Sequence, residues 1–316
     1  MIKDYSFIEI KSPVKFEGLD IKLEKLRRIQ FSKALDENDY IKIAEFLKQY
    51  PNIILRVYLD YKKSILNLDF LKYFSNHARI AIDLYNIEDI SGMKYLNKDL
   101  RYFSFGATKK RFSLKFLQEL SNLEELFLEG HAKDIEVLSN LVKLQDLVLK
   151  SIKVPNLEFL LPLKRLKKFD MKLGGTTNLK LLPYIGEIEY LELWMIRGLK
   201  EISFVSEMTK LRYLFLQSLK NVVELPNLRK LEKLKRIQLI NMKGIKNLSP
   251  LLDAKKLKYL EIYEALHLKP EDIFVLGKHE SLEYLSLGIS SLKKHREVRE
   301  IIDLPEVNMP KGYMDF

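Results

Sequence analysis

The chain has 316 residues, 47% apolar and 31% charged, the balance of a globular protein rather than a disordered one. It contains no cysteine, which excludes disulfides, thiolate metal sites and cysteine nucleophiles. Its 54 basic and 43 acidic residues leave a net charge of +11, which permits a polyanionic partner without requiring one.

In chain order, residues 1–51 carry no repeat and read as an N-terminal cap. Within them Asn38-Asp39 precede an apolar-periodic run (Ile41, Ile43, Ala44, Phe46, Leu47) that Pro51 stops, which predicts a helix near 39–50. Residues 52–97 read as two degenerate repeats built on Ile54/Val57/Leu59 and Ile82/Leu84. Residues 98–290 hold nine regular copies of L-x-x-L-x-L, beginning at Leu100, Leu123, Leu144, Leu166, Ile188, Leu211, Leu234, Leu257 and Leu282. All 27 pattern sites are apolar, which has a chance of roughly 10⁻⁹ at the background composition. Residues 291–316 read as a C-terminal cap and tail. Residues 1–12 lack the apolar stretch of a secretion signal, and no run approaches ~18 apolar residues, so the expectation is a cytoplasmic chain without a membrane partner.

The alternating apolar sites of each repeat predict a short strand buried on one face. A second set at spacing three, such as Ile135, Leu138 and Leu141, or Ile245, Leu248 and Leu251, predicts a 3₁₀ or short helical turn on the return path. One repeat has too few leucines to make a core, so the stack is the folding unit.

The pattern resembles the leucine-rich-repeat family, in the 22-residue class of the bacterial internalins. The resemblance implies an α/β solenoid, a right-handed arc with a parallel sheet on the concave side and helical or 3₁₀ turns on the convex side. It implies a non-enzymatic protein-binding module, and for chains without a secretion signal a use as a toxin-neutralising immunity protein. The family places Asn at the ninth repeat position as a buried ladder. Here that column reads Thr108, His131, Ile152, Gly174, Ile196, Leu219, Met242, Ala265 and Ser290, so the loops after the strands need other partners.

Chemistry-bearing motifs are lacking. The five histidines stand in return segments or the tail, with no two at metal-ligand spacing on one element. Gly106–Arg111 lacks the spacing of a phosphate loop, and Gly174-Gly175 reads as a turn requiring unusual φ. No catalytic residue, cofactor, metal or small-molecule substrate is expected.

The outward strand positions are the third, fifth and seventh of each repeat. Nine of these 27 sites are aromatic, against 11% of the chain, and they include its one Trp. The partner-binding residues expected from this face are Tyr102, Glu125, Phe127, Asp170, Tyr190, Glu192, Trp194, Tyr213, Phe215, Arg236, Tyr259, Glu261, Tyr263 and Tyr284. Six acidic and four basic sites make the face about −2, which predicts a protein partner with a basic, partly apolar surface. In the third column Tyr190, Tyr213, Arg236, Tyr259 and Tyr284 stand on successive rungs, an arrangement that could equally be a stacking ladder. Cations flank the first leucine (Lys143, Arg165/Lys167, Lys210/Arg212, Lys233/Lys235, Lys256/Lys258), predicting a basic rim and, as the alternative function, nucleic-acid or polyanion binding there.

Overall fold

In the computed structural model, residues 7–16, 23–58, 65–289 and 291–306 are described. Thirteen short strands follow one another in the sheet in chain order, and every register given is parallel. The chain divides into two compact units, residues 1–147 and 148–316. Among the described residues no helix is long and apolar enough to cross a membrane.

The first unit begins with β1 (Phe7–Glu9) and β2 (Arg28–Phe31), so the sheet starts inside the segment expected only to cap it. The helix expected near 39–50 is α1 (Glu37–Gln49). It packs an aromatic cluster: Tyr40 lies against Phe31, Phe70 and Phe74, and Phe46 stacks on Phe16 at 4.3 Å. Asp39 is buried and accepts from the Ser12 hydroxyl and the Val14 N–H, and these bonds hold its carboxyl below its ordinary pKa.

The next strands are β3 (Ile54–Tyr58), β4 (Arg79–Asp83), β5 (Tyr102–Phe105), β6 (Glu125–Glu129) and β7 (Asp146–Lys150), which ends across the division. Registers correct the two degenerate repeats. The inward pair of β3 is Leu55/Val57, with Ile54 turned outward, and Leu59 lies outside the described residues. The inward pair of β4 is Ile80/Ile82, in register with Phe103/Phe105, and Leu84 is buried just past the strand. Crowded β-branched residues made both phases look alike in the sequence.

The second unit carries β8 (Lys168–Lys172), β9 (Tyr190–Trp194), β10 (Tyr213–Gln217), β11 (Arg236–Ile240), β12 (Tyr259–Tyr263) and β13 (Tyr284–Leu287). Their inward residues are buried, and Phe169, Met171, Leu191, Leu193, Leu214 and Leu216 are at most 1% exposed. Most return segments carry a 3₁₀ turn, as spacing three predicts; Ile135–Asn140 and Ser249–Asp253 are two of them. Asn156, Asn178, Asn227 and Asn247 each accept from the N–H two residues on, an Asx turn that starts the return. After Pro270–Ile273 (α2), helix α3 (Leu292–Ile301) follows the last strand. Its Arg299 donates to the Leu285 carbonyl, and the Leu285 N–H donates to the Pro305 carbonyl, so the backbone groups of Leu285 on β13 are paired by the tail.

The turn after each strand shows what replaces the asparagine column. From β6 to β12 the eighth repeat position is left-handed, and six of the seven residues there are not glycine: Ser151, Leu173, Met195, Ser218, Asn241 and Glu264, after Gly130. The ninth position is filled by buried apolar groups (Ile152, Ile196, Leu219, Met242, Ala265) and by His131. Backbone groups of adjacent returns pair instead: Gly175 N–H donates to Ile152, and Arg197 N–H donates to Gly174. Gly174 has an ordinary φ, which corrects the expectation of unusual backbone. A Cβ there would meet the Ile152 carbonyl oxygen at 2.3 Å, so glycine is needed for close approach.

Candidate functional site

Each strand exposes three columns on the face away from the leucines, and cross-strand register sets their neighbours. On β8–β13 the third-position column runs Lys168, Tyr190, Tyr213, Arg236, Tyr259, Tyr284. The fifth runs Asp170, Glu192, Phe215, Gln238, Glu261, Ser286, and the seventh runs Lys172, Trp194, Gln217, Ile240, Tyr263.

The third column is a packed ladder. Tyr190 and Tyr213 stack at 4.6 Å and 14°, and Tyr259 and Tyr284 stack at 4.9 Å and 11°. The Arg236 guanidinium lies 5.5 Å from the Tyr213 ring and donates through Nε and Nη2 to one Glu261 oxygen, at 3.0 and 2.8 Å. Both partners of this pair are buried, and so is Tyr213, whose hydroxyl donates to Gln238. An outward strand position therefore does not mean an exposed side chain. Tyr213 and Arg236 do structural work, and Tyr213 is a poor choice for separating binding from folding.

The acidic character expected of this face is neutralised from within. The Lys172 ammonium sits 2.9 Å from Glu192 and 3.2 Å from Asp170. Burial opposes its charge, but Asp170 and Glu192 together hold it above the usual lysine range. The Tyr190 hydroxyl donates to the other Glu192 oxygen, and burial, with Asp170 and Glu192 beside it, pushes the phenol well above its ordinary pKa. Lys168, Lys172 and Arg236 balance Asp170, Glu192 and Glu261, so the outward positions of β8–β13 sum to zero. The excess of −2 comes from β6 and β7, where Glu125, Glu129 and Asp146 outnumber Lys150. Tyr190, Tyr259 and Tyr284 of the third column are partly exposed, and so are Phe215 of the fifth and Trp194, Ile240 and Tyr263 of the seventh, which form an aromatic–apolar strip running from mid-strand toward the strand ends.

Tyr102, Glu125 and Phe127 are on β5 and β6 of the first unit. Tyr102 stacks under the Arg79 guanidinium at 5.0 Å, and Arg79 pairs with Glu125 at 3.0 Å. Burial, with Asp83 and Glu125 nearby, raises the Tyr102 phenol above its ordinary pKa.

The basic rim is interrupted. Glu187, Glu189 and Glu283 occupy the same flanking positions on neighbouring repeats and pair with Lys210 (3.8 Å), Arg212 (3.5 Å) and Lys258 (2.6 Å). These contacts are largely solvent-exposed, so each contributes little.

The histidines hold loops. Nε2 of His77, His131, His267 and His279 lies 2.8–3.2 Å from the carbonyls of Ile53, Gly106, Ile245 and Leu251. His131 also stacks on Phe105 at 4.2 Å, and its Nδ1 accepts from the Phe112 N–H. Its place in the asparagine column was visible in the sequence; the carbonyl it reaches, 25 residues upstream, was not. Among the described residues no group of three His, Asp or Glu side chains could hold a metal ion.

No family model matches the chain, and no curated protein matches it in sequence. Solved structures do match it in fold. An internalin, InlF, of Listeria monocytogenes aligns over 91% of this chain and 82% of its own, with 17% identity and a TM-score of 0.57. The functional domain of InlJ from the same organism, which includes a cysteine ladder, aligns over 83% and 58%, with 18% identity and a TM-score of 0.53. The repeats, the parallel sheet and these likenesses together establish that this cysteine-free chain has the leucine-rich-repeat fold.

Proposed function

We propose that the chain is a non-enzymatic interaction module that binds a protein partner on the outward face of β8–β13. The observation that carries this reading is the strip of Trp194, Phe215, Ile240 and Tyr263, left partly exposed beside carboxylates that already have cations. Desolvating paired charges next to exposed aromatics is easier than desolvating bare ones, and aromatic anchors dominate interface energetics. Asp170, Tyr190, Glu192, Arg236, Tyr259, Glu261 and Tyr284 frame the strip. Tyr213 is buried in the ladder of the third column, and Tyr102, Glu125 and Phe127 stand on strands of the first unit. The partner surface this strip favours is apolar rather than basic, because its negative charge is already matched.

A photoreactive amino acid at position 263 tests the reading, with position 184 as control. Tyr184 is 66% exposed but lies on a return segment. Cross-linking in cells should give one discrete protein adduct from position 263 and none from position 184. The opposite pattern would move the binding surface to the returns.

A further inference from the structure

Charge and apolarity are graded across the second unit along the direction of its strands. On the side where β10–β12 begin stand Lys210, Arg212, Lys233, Lys235, Lys256 and Lys258. The pairing carboxylates Glu187, Glu189 and Glu283 belong to the flanking repeats, so the middle of this edge keeps a positive excess. On the side where the strands end, Trp194, Ile240 and Tyr263 are continued by Met195, 39% exposed, and Leu266, 67% exposed. Between the two edges four residues of the fifth column are sunken, Glu192, Gln238, Glu261 and Ser286 at most 9% exposed, while Phe215 is partly exposed.

The spacing of this surface discriminates between possible occupants. Adjacent strands stand about 4.8 Å apart, so β8 to β13 spans about 24 Å. A helix crossing the strands advances about 5.4 Å per turn and falls out of step by only about 0.6 Å per strand. An extended segment repeats its side chains on one face about every 6.7 Å and loses step by about 1.9 Å per strand. From the third to the seventh column the face is about 13 Å wide, which accommodates a helix about 10–12 Å in diameter. Resting on the proposed binding role of this face, we infer that its partner element is an amphipathic helix of about 16 residues. This helix crosses β8–β13 with its apolar side on the Trp194–Tyr263 strip and an acidic flank over the Lys210–Lys258 edge.

Synthetic 18-residue helical peptides without Trp or Tyr serve as probes. One carries a leucine face with a glutamate flank, one the same face with a lysine flank, and one scrambles the first. Anisotropy of the labelled peptides gives affinity, and emission of Trp194, the chain's one Trp, reports whether the strip is covered. At low salt the glutamate-flank peptide should bind about five- to tenfold tighter than the lysine-flank peptide and shift Trp194 emission, with the scrambled peptide weaker than both. Lys210→Glu with Lys233→Glu and Lys256→Glu, all exposed positions, should reverse that order while the melting temperature stays put. Equal binding of the two flanks, or an order unchanged by the triple reversal, would overturn the inference. So would equally tight binding of a 20-nucleotide single strand, which would assign the edge to nucleic acid. If no peptide binds while position 263 still cross-links to a protein, the helix inference fails and the binding face stands. If both fail, the face itself is wrong.

Discussion

The two units solve the outward face of the same sheet with different chemistry. In the first, guanidinium groups lie over rings: Arg28 over Phe7 at 5.6 Å, Arg56 over Tyr58 at 4.8 Å and Arg79 over Tyr102 at 5.0 Å. Their ion partners, Asp83 and Glu125, are partly solvated. In the second, ring also lies on ring, and the one arginine of the ladder, over Tyr213 at 5.5 Å, is buried against Glu261. A rung position fixes only the distance to its neighbours; guanidinium–ring pairs fill it in both units, and ring–ring stacks join them in the second. The difference between them is burial, which decides how much each pair contributes.

Burial ranks the expected effects. Glu261→Ala leaves Arg236 buried without its carboxylate and should destabilise the second unit by about 3–5 kcal/mol, whereas Glu125→Ala, beside a partly solvated Arg79, should cost about 1 kcal/mol or less. Denaturant melts of both variants measure this. Equal losses would erase the contrast, and a paired Arg236→Met/Glu261→Met replacement should recover most of the first loss. Tyr213→Ala removes a stack, a hydroxyl bond and part of the cover over Arg236, and should cost about 2–4 kcal/mol.

Acid should separate the units in turn. Burial holds His77 and His131 in the first unit and His279 in the second below the ordinary imidazole pKa. The unfolded chain then binds more protons once pH falls below about 6.5, so stability is full above that pH and declines beneath it. Each such histidine adds a slope of at most about 1.4 kcal/mol per pH unit. The first unit, with two of them, should lose hydrogen-exchange protection earlier as pH drops from 6.5 to 5, and His131→Asn should flatten its dependence. A first unit that stays protected longer than the second would count against this ordering. The smallest effect is expected at Met195, left-handed at φ 52° with an exposed side chain. Met195→Gly should leave the melting point unchanged or raise it slightly, by up to about 1 kcal/mol of stability.

The leucine spacing made β5–β13 and their inward residues legible, because period-2 burial and a fixed repeat leave little freedom of register. The strands of residues 7–31 were hidden, since β1 and β2 are three and four residues long and follow no regular interval. On the candidate site, the column neighbours of Trp194 followed directly from the repeat. Whether Tyr213, Arg236 or Glu192 is exposed did not, because that depends on how long side chains fold over one another across strands. The neutralising role of Lys172 was invisible for the same reason, since its partner Glu192 lies 20 residues further along the chain.

Binding of the cross-linked partner to the Trp194→Ala variant, with melting followed in parallel, tests the central claim most directly. Trp194 sits on the outward face, partly exposed, while the core leucines of its strand are fully buried. Truncating it should weaken binding by about 2–4 kcal/mol, roughly 30- to 1,000-fold, while the melting temperature moves by only a few degrees. Wild-type affinity in Trp194→Ala, with Tyr184→Ala weakened instead, would contradict the account.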